Sequence, residues 1–353
     1  MDVDALEAAA LAGGLDLAAH DYFATGADEE LTLAANRSAW SRWRIRPRVL
    51  RDVSAVDTST TVLGARVRMP VLVAPAAYQR LADPEGEIAM ARGVAAAGSV
   101  MTLSTMSTVR LEDVAAAVPG VPRWFQLYVH VDRRDTERLV DRAEAAGYDA
   151  LVVTVDTPEL GRRLRNGPTG FHLPAGMEVA NLADTGGQAG AITQYAATMF
   201  DPSLTFEAIS WLVRRTRLPV VVKGVLRGDD ATAAVAAGAA AVCVSNHGGR
   251  QLDGSVATAD ALPDVVAGVA GRAEVYVDGG VTRGSDVLRA LALGARAVWI
   301  GRPALWALAA GGADGVRDVL DVFAEETRLA FALAGVPTVH DATPDLLVHQ
   351  PWL

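Results

Sequence analysis

The chain has 353 residues, of which 51% are hydrophobic, and it carries a formal net charge of -10. This length and apolar content allow a large core, and they fit one large α/β barrel as well as two ordinary domains. Nucleic acid and anionic membranes are disfavoured as partners, because both require concentrated positive charge and the sequence has no run of Lys or Arg. The densest basic stretch is Arg46, Arg48 and Arg51, which we interpret as a helix end or an oligomer contact.

Cysteine usage and the two ends of the chain bear on its cellular location. Cys243 is the only cysteine, so no intrachain disulfide forms and a reducing compartment suits the chain. Met1 to Asp4 are acidic where a secretory signal is basic, and no stretch of about eighteen residues is uninterruptedly apolar. Pro351 to Leu353 are not a peroxisomal Ser-Lys-Leu signal. We therefore expect a soluble, cytoplasmic protein with no membrane partner.

The first 60 residues carry helical patterns, from Val3 to Ala12 and from Leu31 to Trp43. We expect residues 1–60 to form a helical cap on the part of the chain that follows. The next segment, TTVLGARVRMP, alternates around Leu63 and Gly64 like a small hairpin that plugs a barrel floor.

From residue 69 onward, short β-branched apolar runs alternate with Ala-rich segments of helical periodicity. Helix start signals at Asp83 and Asp132 and glycine stops at Gly98 and Gly147 punctuate the pattern. Eight strand-helix units predict one closed (β/α)₈ TIM barrel over residues 61–353, with the whole chain as a single domain. The eight strands read MPVLVAPA from Met69, VMTLST from Val100, RWFQLYV from Arg123, ALVVTVD from Ala150, PVVVKGV from Pro219, AAVCVSN from Ala240, EVYVDGG from Glu274 and AVWIGR from Ala297.

One connection is unusually long. The stretch from Leu160 to Leu204, after the fourth strand, is rich in Gly, Pro, Thr and Asn. Loops of this length in a compact domain are usually functional lids or disordered segments. We therefore expect a long active-site loop here.

The active site of such a barrel lies at the C-terminal ends of its strands. Polar residues with varied chemistry follow the strands of this sequence, more regularly than chance explains. They are Gln79, Ser104 and Thr105, Gln126 and Tyr128, Thr154 and Asp156, Lys223, Ser245 to His247, Asp278 to Gly280, and Gly301 with Arg302.

Two glycine-rich turns indicate a phosphate site after the seventh and eighth strands. Asp278-Gly279-Gly280 leads into a helix that begins near Arg283, and Gly301-Arg302 closes the eighth strand. Glycines let backbone N–H groups approach a phosphate, a helix N-terminus favours an anion, and an arginine adds a charged fork. One such turn alone would be only a turn, whereas the pair favours a phosphate ligand of a kind that many barrels bind.

The most specific motif is SNHGGRQLDG, which follows the sixth strand. His247 lies directly at the strand end, and Arg250 follows three residues later, a combination suited to a general base beside a carboxylate-binding guanidinium. Asp156 is positioned to hold the imidazole, although an Asp before Thr-Pro is also a plausible turn cap. Lys223 lies in an apolar strand and requires a polar partner. It is either a Schiff-base lysine, as in an aldolase, or a cation beside an electron-rich flavin.

At these residues the chain resembles the FMN-dependent 2-hydroxy acid oxidase and dehydrogenase family, which includes glycolate oxidase, lactate oxidase and mandelate dehydrogenase. The resemblance covers nearly the whole chain, and SNHGGRQLDG is its most specific part. The other matching segments are DYFATGA from Asp21, PEGE from Pro84, FQLYV from Phe125, TVDTPELGRR from Thr154, VKGV from Val222, DGGVTRG from Asp278 and IGRP from Ile300.

The resemblance implies FMN as the cofactor and assigns residues to it. The lysine of the family's pattern, here Lys223, stabilises the negative N1 and O2 region of the reduced flavin, and the aldolase interpretation weakens accordingly. The implied flavin-binding residues are Ala76, Ala77, Ser104, Gln126, Thr154, Lys223 and Ser245, with Asp278, Gly279, Gly280, Arg283, Gly301 and Arg302 at the phosphate.

The resemblance also implies oxidation of an (S)-2-hydroxy acid to the 2-oxo acid. Arg250 and Tyr22 grip the substrate carboxylate with help from Arg163, and Tyr128 hydrogen-bonds the hydroxyl. His247 takes a proton, either from the hydroxyl as hydride leaves or from the α-carbon to form a carbanion, and both mechanisms remain open. Asp156 stabilises the protonated imidazole and raises its pKa.

Departures from the family's pattern bear on the substrate. Met106 stands where glycolate oxidases usually have Trp, which indicates a larger or more pliable substrate pocket. With Tyr78 in place of a common Met, the run VAPAAYQRLADPEGE is most similar to hydroxymandelate oxidases. Mandelate or 4-hydroxymandelate is therefore a candidate substrate beside lactate and glycolate. Thr282 stands where many relatives have Arg, and we expect Arg283 to retain one charge for the flavin phosphate.

The electron acceptor and the assembly are expectations of the same kind. No haem domain precedes the barrel, and the loop that carries an apolar insertion in membrane-bound mandelate dehydrogenases is polar and Gly-rich here. Oxygen is the favoured acceptor, with a soluble quinone or protein as the alternative, and a homotetramer is implied. Trp299 and Trp306 are interpreted as core residues. The histidines other than His247 show no metal-ligand spacing, so no metal is assigned.

Two rival functions remain. A barrel lyase or isomerase acting on a phosphorylated substrate would use Lys223 as a Schiff base and would be colourless. A non-catalytic flavin- or ligand-binding module would not need the base His247.

Overall fold

The computed structural model describes residues 2–166, 172–182 and 199–350. The N-terminal segment, residues 2–60, contains helices α1 (Val3–Ala12), α2 (Leu17–Ala24) and α3 (Leu31–Arg42), followed by strand β1 (Trp43–Ile45). Asp2 and Asp16 cap the first two helices, because their carboxylates accept hydrogen bonds from backbone N–H groups of the first turn. The helices predicted at Val3 and Leu31 are thereby confirmed.

The predicted hairpin is formed by β2 (Thr60–Val62) and β3 (Ala65–Val67). Leu63 and Gly64 have φ angles of 46° and 84°, the left-handed pair that a tight two-residue turn requires. Val62 and Val67 are buried against barrel residues that include Trp124 and Trp299. The hairpin therefore fills the floor of the barrel, as the sequence predicts.

All eight predicted barrel strands are present, and they close into one parallel barrel because the last strand pairs with the first. Nearly every strand residue is buried, since the helices cover the outside and side chains fill the inside. The strands are β4 (Val71–Val73), β5 (Met101–Leu103), β6 (Arg123–Leu127), β7 (Ala150–Thr154), β8 (Val220–Val225), β9 (Ala241–Val244), β10 (Glu274–Val277) and β11 (Ala297–Ile300).

Helices alternate with these strands around the barrel. Asp132 caps its helix by accepting from Arg134 N, as its position in the sequence predicts. The last helix is kinked at Gly311 and Gly312, and strand β12 (Leu347–His349) then pairs antiparallel with β1. The helices are α4 (Glu87–Ala96), α5 (Leu111–Ala117), α6 (Arg133–Ala145), α7 (Phe206–Arg215), α8 (Gly228–Ala236), α9 (Thr258–Val269), α10 (Gly284–Ala292) and α11 (Arg302–Ala334).

The N-terminal segment docks at the mouth of the barrel, where the strands end. Asn36 and Asn246 exchange amide hydrogen bonds of 2.7 and 2.8 Å. Trp40 donates from Nε1 to Gly279 O at 2.9 Å. The carboxylate of Asp253 accepts from the first backbone N–H groups of α3. These contacts attach the segment to the loops that follow β9 and β10.

The long connection after β7 falls partly outside the described residues, which include 160–166, 172–182 and 199–204 of it. Asn181 donates to Ser107 Oγ at 2.7 Å and accepts from Leu111 N at 2.9 Å. Phe200 forms a β-bridge with His130 after β6. The described segments 172–182 and 199–204 therefore pack on the loops after β5 and β6. The expectation of a lid over residues 167–171 and 183–198 lies outside the described residues.

Candidate active site

A cavity of about 870 Å³ opens at the C-terminal ends of the barrel strands. Asp156 and Ser245 lie directly behind residues of its wall, and Arg283 lies away from it. The other predicted site residues all line the cavity: Tyr22, Ala76, Ala77, Ser104, Met106, Gln126, Tyr128, Thr154, Arg163, Lys223, His247, Arg250, Asp278, Gly279, Gly280, Gly301 and Arg302.

His247 follows β9 and is fixed by a carboxylate. Its Nδ1 lies 2.9 Å from Asp156 Oδ1, which leaves Nε2 as the ring nitrogen available to the cavity. The backbone of His247 has a φ of 59°, and Gly248 and Gly249 continue with φ values of 64° and 77°. A left-handed histidine is uncommon and is tolerated where the surrounding structure holds it.

Gly224, in the VKGV segment, allows the carboxylate to come this close. Its φ is 116°, and a Cβ atom there would lie 2.7 Å from Asp156 Cβ. A side chain at this position would displace Asp156 and with it His247. The glycine is visible in the sequence, but its contact with Asp156 at the end of the adjacent strand β7 is not.

The protonation of the pair follows from burial and charge. Burial lowers the pKa of His247 and, with Lys223 and Arg250, outweighs the opposite effect of Asp156. Burial alone would raise the pKa of Asp156, but His247 and Lys223 bring it below its usual value. The carboxylate therefore acts on the imidazole in the expected direction, while the net pKa shift of His247 is downward. At neutral pH the imidazole is free to accept a proton.

Arg250 is half-buried, and the guanidinium of Arg163 and the ring of Tyr22 lie close to it. Its Nη1 donates to the carbonyl oxygens of Tyr22 at 2.7 Å and Thr25 at 2.9 Å. Burial, with the charge of Arg163, lowers the pKa of Arg250 to about 9, so it stays charged at neutral pH. The guanidinium groups of Arg250 and Arg163 lie 5.1 and 6.0 Å from the centre of the Tyr22 ring. This corner of the cavity is suited to a carboxylate.

Tyr128, beyond β6, is held by ring stacking. Its ring and that of Phe200 have centroids 4.1 Å apart and an interplanar angle of 22°. Burial, with the charge of Asp156, raises the pKa of Tyr128 above its usual value. The phenol therefore remains protonated at neutral pH and is available as a hydrogen-bond donor.

Lys223 has the anionic partner that its burial requires. Its Nζ lies 3.2 Å from Asp278 Oδ2 and 2.9 Å from Ser245 Oγ. Ser245 also donates to Asp278 and accepts from His247 N, which connects the lysine to the base. Burial opposes the charge, but Asp278 and Asp156 raise the pKa of Lys223 above its usual value. The side chain is therefore an ammonium ion, whereas a Schiff-base lysine must become a neutral amine.

The turns after β10 and β11 pack tightly against the N-terminal segment. Gly280 has a φ of 74°, and a Cβ atom there would lie 2.0 Å from Asn36 O. Arg302 donates to the carbonyl oxygens of Phe23, Gly248 and Thr25 at 3.0 to 3.1 Å. The N-terminal segment therefore sets the orientation of the arginine that the sequence assigns to a phosphate.

Arg283, which the resemblance assigns to the flavin phosphate, lies away from the cavity. Its Nη1 lies 3.2 Å from Glu326 Oε1 on α11, and its side chain is 44% exposed. Thr282 lines the cavity instead, and its backbone N–H donates to Asp286. Because Arg283 is the N-cap residue of α10, its side chain leaves the turn toward α11. The cavity therefore does not gain the charge that residue 283 was expected to retain.

Two residues that matter to the site were missed by sequence reasoning. Phe200 could not be recognised, because its partner Tyr128 is far away in the sequence. Asn36 had a signal, since helical spacing places this polar residue on the same face of α3 as Ala39 and Trp40, and it is 1% exposed. Such a residue usually has a specific hydrogen-bond partner, here Asn246.

The sequence profile of the FMN-dependent dehydrogenase family matches residues 13–349. The chain belongs to this family. L-lactate oxidase of Nostoc sp. is 48% identical over 341 residues, which are 93% of each chain. Human 2-hydroxyacid oxidase 1 is 48% identical over 341 residues, 94% of this chain and 92% of the human one. The resemblance stated from the motifs is confirmed.

Solved structures of the family agree with the fold. A mandelate oxidase with (S)-4-hydroxymandelic acid superposes with a TM-score of 0.92 at 46% identity, covering 98% of both chains. A mandelate oxidase with benzoyl-formic acid gives a TM-score of 0.90, also at 46% identity. The predicted (β/α)₈ barrel is confirmed.

The cavity fits the family's cofactor, FMN. Two buried polar atoms on its wall, Gln126 Nε2 and Asp278 Oδ1, have no hydrogen-bond partner among the described residues. A buried donor or acceptor is costly unless a ligand satisfies it. Gly279 and Gly280 leave backbone exposed to the cavity, and Lys223 supplies a cation. An unsatisfied donor, an unsatisfied acceptor, a cation and glycine turns in one cavity are therefore compatible with a flavin that carries a phosphate.

The described residues contain no cluster of His, Cys, Asp and Glu arranged to hold a metal ion. Over the same ranges, no helix has the length and apolar character needed to cross a bilayer. Trp299 and Trp306 are each 1% exposed, in agreement with their interpretation as core residues.

Proposed function

We propose that the chain oxidises an (S)-2-hydroxy acid to the 2-oxo acid with bound FMN, and that O₂ regenerates the cofactor. The acid loses two electrons and two protons, and O₂ gains both to become H₂O₂. FMN, when bound, accepts the electron pair of the C2–H bond. The observation that carries the proposal is the placement of His247, paired with Asp156, in one cavity with Arg250 and the ammonium group of Lys223.

Arg250 binds the substrate carboxylate in this proposal. Its Nη1 is occupied by backbone carbonyls, and its Nε and Nη2 make no hydrogen bond to the described residues. Arg163 Nε is buried and likewise has no partner in those ranges. A carboxylate would satisfy both guanidinium groups, and Tyr22 lies between them.

His247 is the proposed base. It accepts a proton from the substrate at Nε2, and Asp156 stabilises the imidazolium ion that results. Tyr128 donates a hydrogen bond to the substrate hydroxyl oxygen. The stacking on Phe200 supports this role, because it holds the Tyr128 ring in one orientation.

The proposed FMN-binding residues are those implied by the sequence, except Arg283. Lys223, Gln126 and the backbone at Ala76 and Ala77 would contact the flavin ring. Ser245 would hold Lys223 in place by accepting a hydrogen bond from its ammonium group. Ser104 accepts from Met106 N and contacts Gln126, so it links the flavin side to the substrate side. Thr154 completes the flavin side, and Asp278, Gly279, Gly280, Gly301 and Arg302 form the phosphate side.

The proposed substrate is mandelate or 4-hydroxymandelate. Met106 and Tyr78 line the cavity, and the superposed mandelate oxidase holds (S)-4-hydroxymandelic acid. The alternative is a small aliphatic acid, lactate or glycolate, which is supported by the name of the Nostoc relative. Tyr78 and Tyr22 have ring centroids 5.5 Å apart, and a substrate phenyl ring would extend this aromatic wall.

The test is an anaerobic titration of the purified protein with (S)-mandelate, (S)-lactate and glycolate, followed by visible spectroscopy. We expect bleaching of the flavin band, at the lowest concentration with (S)-mandelate, and release of H₂O₂ when air is admitted. The matched control is His247→Gln, which should bind FMN but resist bleaching. A soluble quinone or protein acceptor replaces O₂ in the proposal if air fails to restore the colour.

The outcomes separate the rival functions. A colourless protein that FMN cannot reconstitute would contradict the proposal and favour the lyase that uses Lys223. A yellow protein that no acid bleaches would favour a ligand-binding module. Rapid bleaching of His247→Gln would remove this residue as the base.

We propose further that the protein is cytoplasmic, a homotetramer and a single domain in which residues 1–60 cap the barrel of residues 61–353. Buried Cys243 supports a reducing compartment. Val49 and Leu50 are exposed apolar side chains on the stretch that contains Arg48, which supports an oligomer contact there. Light scattering of the purified protein tests the homotetramer, and cell fractionation tests the cytoplasmic location.

A further inference from the structure

Glu87 is a buried carboxylate that the proposed chemistry does not use. It begins α4, within the PEGE segment, and is fully buried. Its Oε1 accepts from the backbone N–H groups of Gln79 at 3.0 Å and Thr108 at 2.9 Å. Its Oε2 accepts from Thr108 Oγ1 at 2.7 Å. Burying a carboxylate is costly unless such donors compensate, so this arrangement is a specific one.

The donors come from two different loops at the mouth of the barrel. Gln79 lies in the loop after β4, and Thr108 lies in the loop after β5. Thr108 Oγ1 also accepts from Arg80 N at 3.2 Å. The Glu87 carboxylate and the Thr108 hydroxyl therefore join the two loops on the side that faces away from the cavity.

Each of these loops carries a side chain of the cavity wall close to the Glu87 contact. Tyr78 precedes Gln79, and Met106 lies two residues before Thr108. Tyr78 N donates to Met106 O at 3.2 Å, so the two wall residues are also joined to each other. Tyr78 has a φ of 59°, a left-handed conformation that a tyrosine keeps only when its surroundings hold it.

Gly86 lets the carboxylate reach the loops. Its φ is 52°, and a Cβ atom there would lie 2.7 Å from Arg80 Cγ and 2.9 Å from Arg80 N. The glycine therefore allows the start of α4 to lie directly against the turn that follows Tyr78. In the PEGE segment, Gly86 permits the close approach to Arg80, and Glu87 makes the hydrogen bonds to the two loops.

We propose that Glu87 is a positioning residue that fixes Tyr78 and Met106 as the wall for the substrate side chain, and thereby sets the preference between aryl and short aliphatic 2-hydroxy acids. The inference rests on the proposed function. Glu87 acts from behind the wall, and none of its hydrogen bonds within the described chain involves His247 or Arg250.

A role in flavin binding is the competing explanation. Gln79 Nε2 donates to Ala76 O at 3.2 Å, and Ala76 is one of the proposed flavin contacts. If Glu87 acted mainly through Ala76, its loss would change the affinity for FMN and leave the substrate preference unchanged. Both quantities therefore have to be measured.

The experiment compares holoenzymes with Glu87→Gln, Thr108→Val and Thr108→Ser. The matched control is Glu85→Gln, because Glu85 is in the same segment but exposed, and within the described ranges its carboxylate pairs with Arg92 alone. KM and kcat are measured for (S)-mandelate and (S)-lactate. The Kd values of benzoylformate and pyruvate are taken from the change in flavin absorbance, and that of FMN from the fluorescence of released flavin.

We expect Glu87→Gln and Thr108→Val to change the mandelate-to-lactate ratio of kcat/KM by about fivefold, mainly through KM, as the loss of a buried hydrogen bond predicts. The Kd ratio of the two oxo acids should change in parallel. Thr108→Ser keeps the hydroxyl and should restore both ratios. Glu85→Gln should leave them unchanged, and the Kd of FMN should stay within about twofold in all variants.

Equal losses for both acids, or a change in FMN affinity alone, would overturn the inference. If Glu87→Gln does not fold, the comparison of Thr108→Val with Thr108→Ser still tests the inference. If the wild-type holoenzyme binds both oxo acids but no hydroxy acid reduces it, the proposed function fails while the Kd ratios still test Glu87. If neither oxo acid binds, both proposals are overturned.

Discussion

His247 can act as a base only while its imidazole is neutral, and its burial determines the pH at which that holds. Burial lowers its pKa below the usual value of 6.5, although Asp156 opposes the shift. Activity that needs the neutral form is present above this pKa and is lost as the pH falls through it. We therefore expect the acidic limb of kcat/KM to lie below pH 6.5, as a pH profile of the holoenzyme would show.

Asp156→Asn tests the partner of the base. The substitution removes the carboxylate that raises the pKa of His247, so the acidic limb should move to lower pH. At the plateau, kcat should fall by about tenfold or more, because the imidazolium ion loses its stabilising charge. A limb that moves to higher pH would contradict the pairing, and FMN absorbance serves as the control for an intact site.

Substitutions at Thr282 and Arg283 test which of the two residues lies near the flavin phosphate, because Thr282 lines the cavity and Arg283 does not. Thr282→Arg should tighten FMN binding about three- to tenfold, since it adds a guanidinium beside the proposed phosphate turns. Arg283→Ala should leave FMN affinity unchanged, because this exposed arginine pairs with Glu326. Fluorescence titration of the apoprotein measures both. Riboflavin, which lacks the phosphate, should not show the gain, and weaker binding by Arg283→Ala would contradict the assignment.

At the scale of elements, the end of α2 orients two cavity arginines at once. The carbonyl oxygens of Phe23 and Thr25 accept from both Arg250 and Arg302. One short segment therefore connects the substrate corner with the phosphate side. A displacement of α2 would disturb both ends of the cavity together.

The attachment of α3 can be tested through Asn246. Asn246→Ala removes the acceptor of Asn36 Nδ2, while Thr258 N still donates to Asn36 Oδ1. We expect a loss of about 1–3 kcal/mol in the free energy of unfolding, because a buried donor is left unsatisfied. Urea denaturation measures this loss. The double variant with Asn36→Ala should lose less than the sum of the two single losses. Ser38→Ala, exposed on the same helix, is the control, and an additive double variant would contradict the pairing.

Element positions could be predicted from the sequence because they depend on local patterns. The apolar runs gave all barrel strands, and Leu63-Gly64 gave the hairpin turn. The sequence could not show that Thr282 lines the cavity whereas Arg283 does not, because neighbouring residues at a helix start point in different directions. The stacking of Phe200 on Tyr128 joins segments distant in sequence, and no local pattern encodes it.

At the scale of the whole molecule, the position of the site follows from the barrel. Once the strands are counted, the residues after them must meet at one end, and most of the predicted residues line one cavity there. The N-terminal segment was expected to cap the barrel, but the individual contacts that it makes there were not predicted. The carbonyl groups that hold Arg250 and Arg302 belong to backbone, whose hydrogen bonds leave no signature in residue type.

The β2–β3 hairpin at the floor also affects the order of events in turnover. Val62, Val67, Trp124 and Trp299 fill the barrel axis, so organic molecules cannot pass through it. Within the described residues, the mouth of the barrel is therefore the route by which an acid enters the cavity and an oxo acid leaves it. If release of the oxo acid through this entrance is slower than the chemical step, product release limits kcat. The hairpin at the floor therefore makes the acid and the oxo acid share the entrance at the opposite end of the barrel.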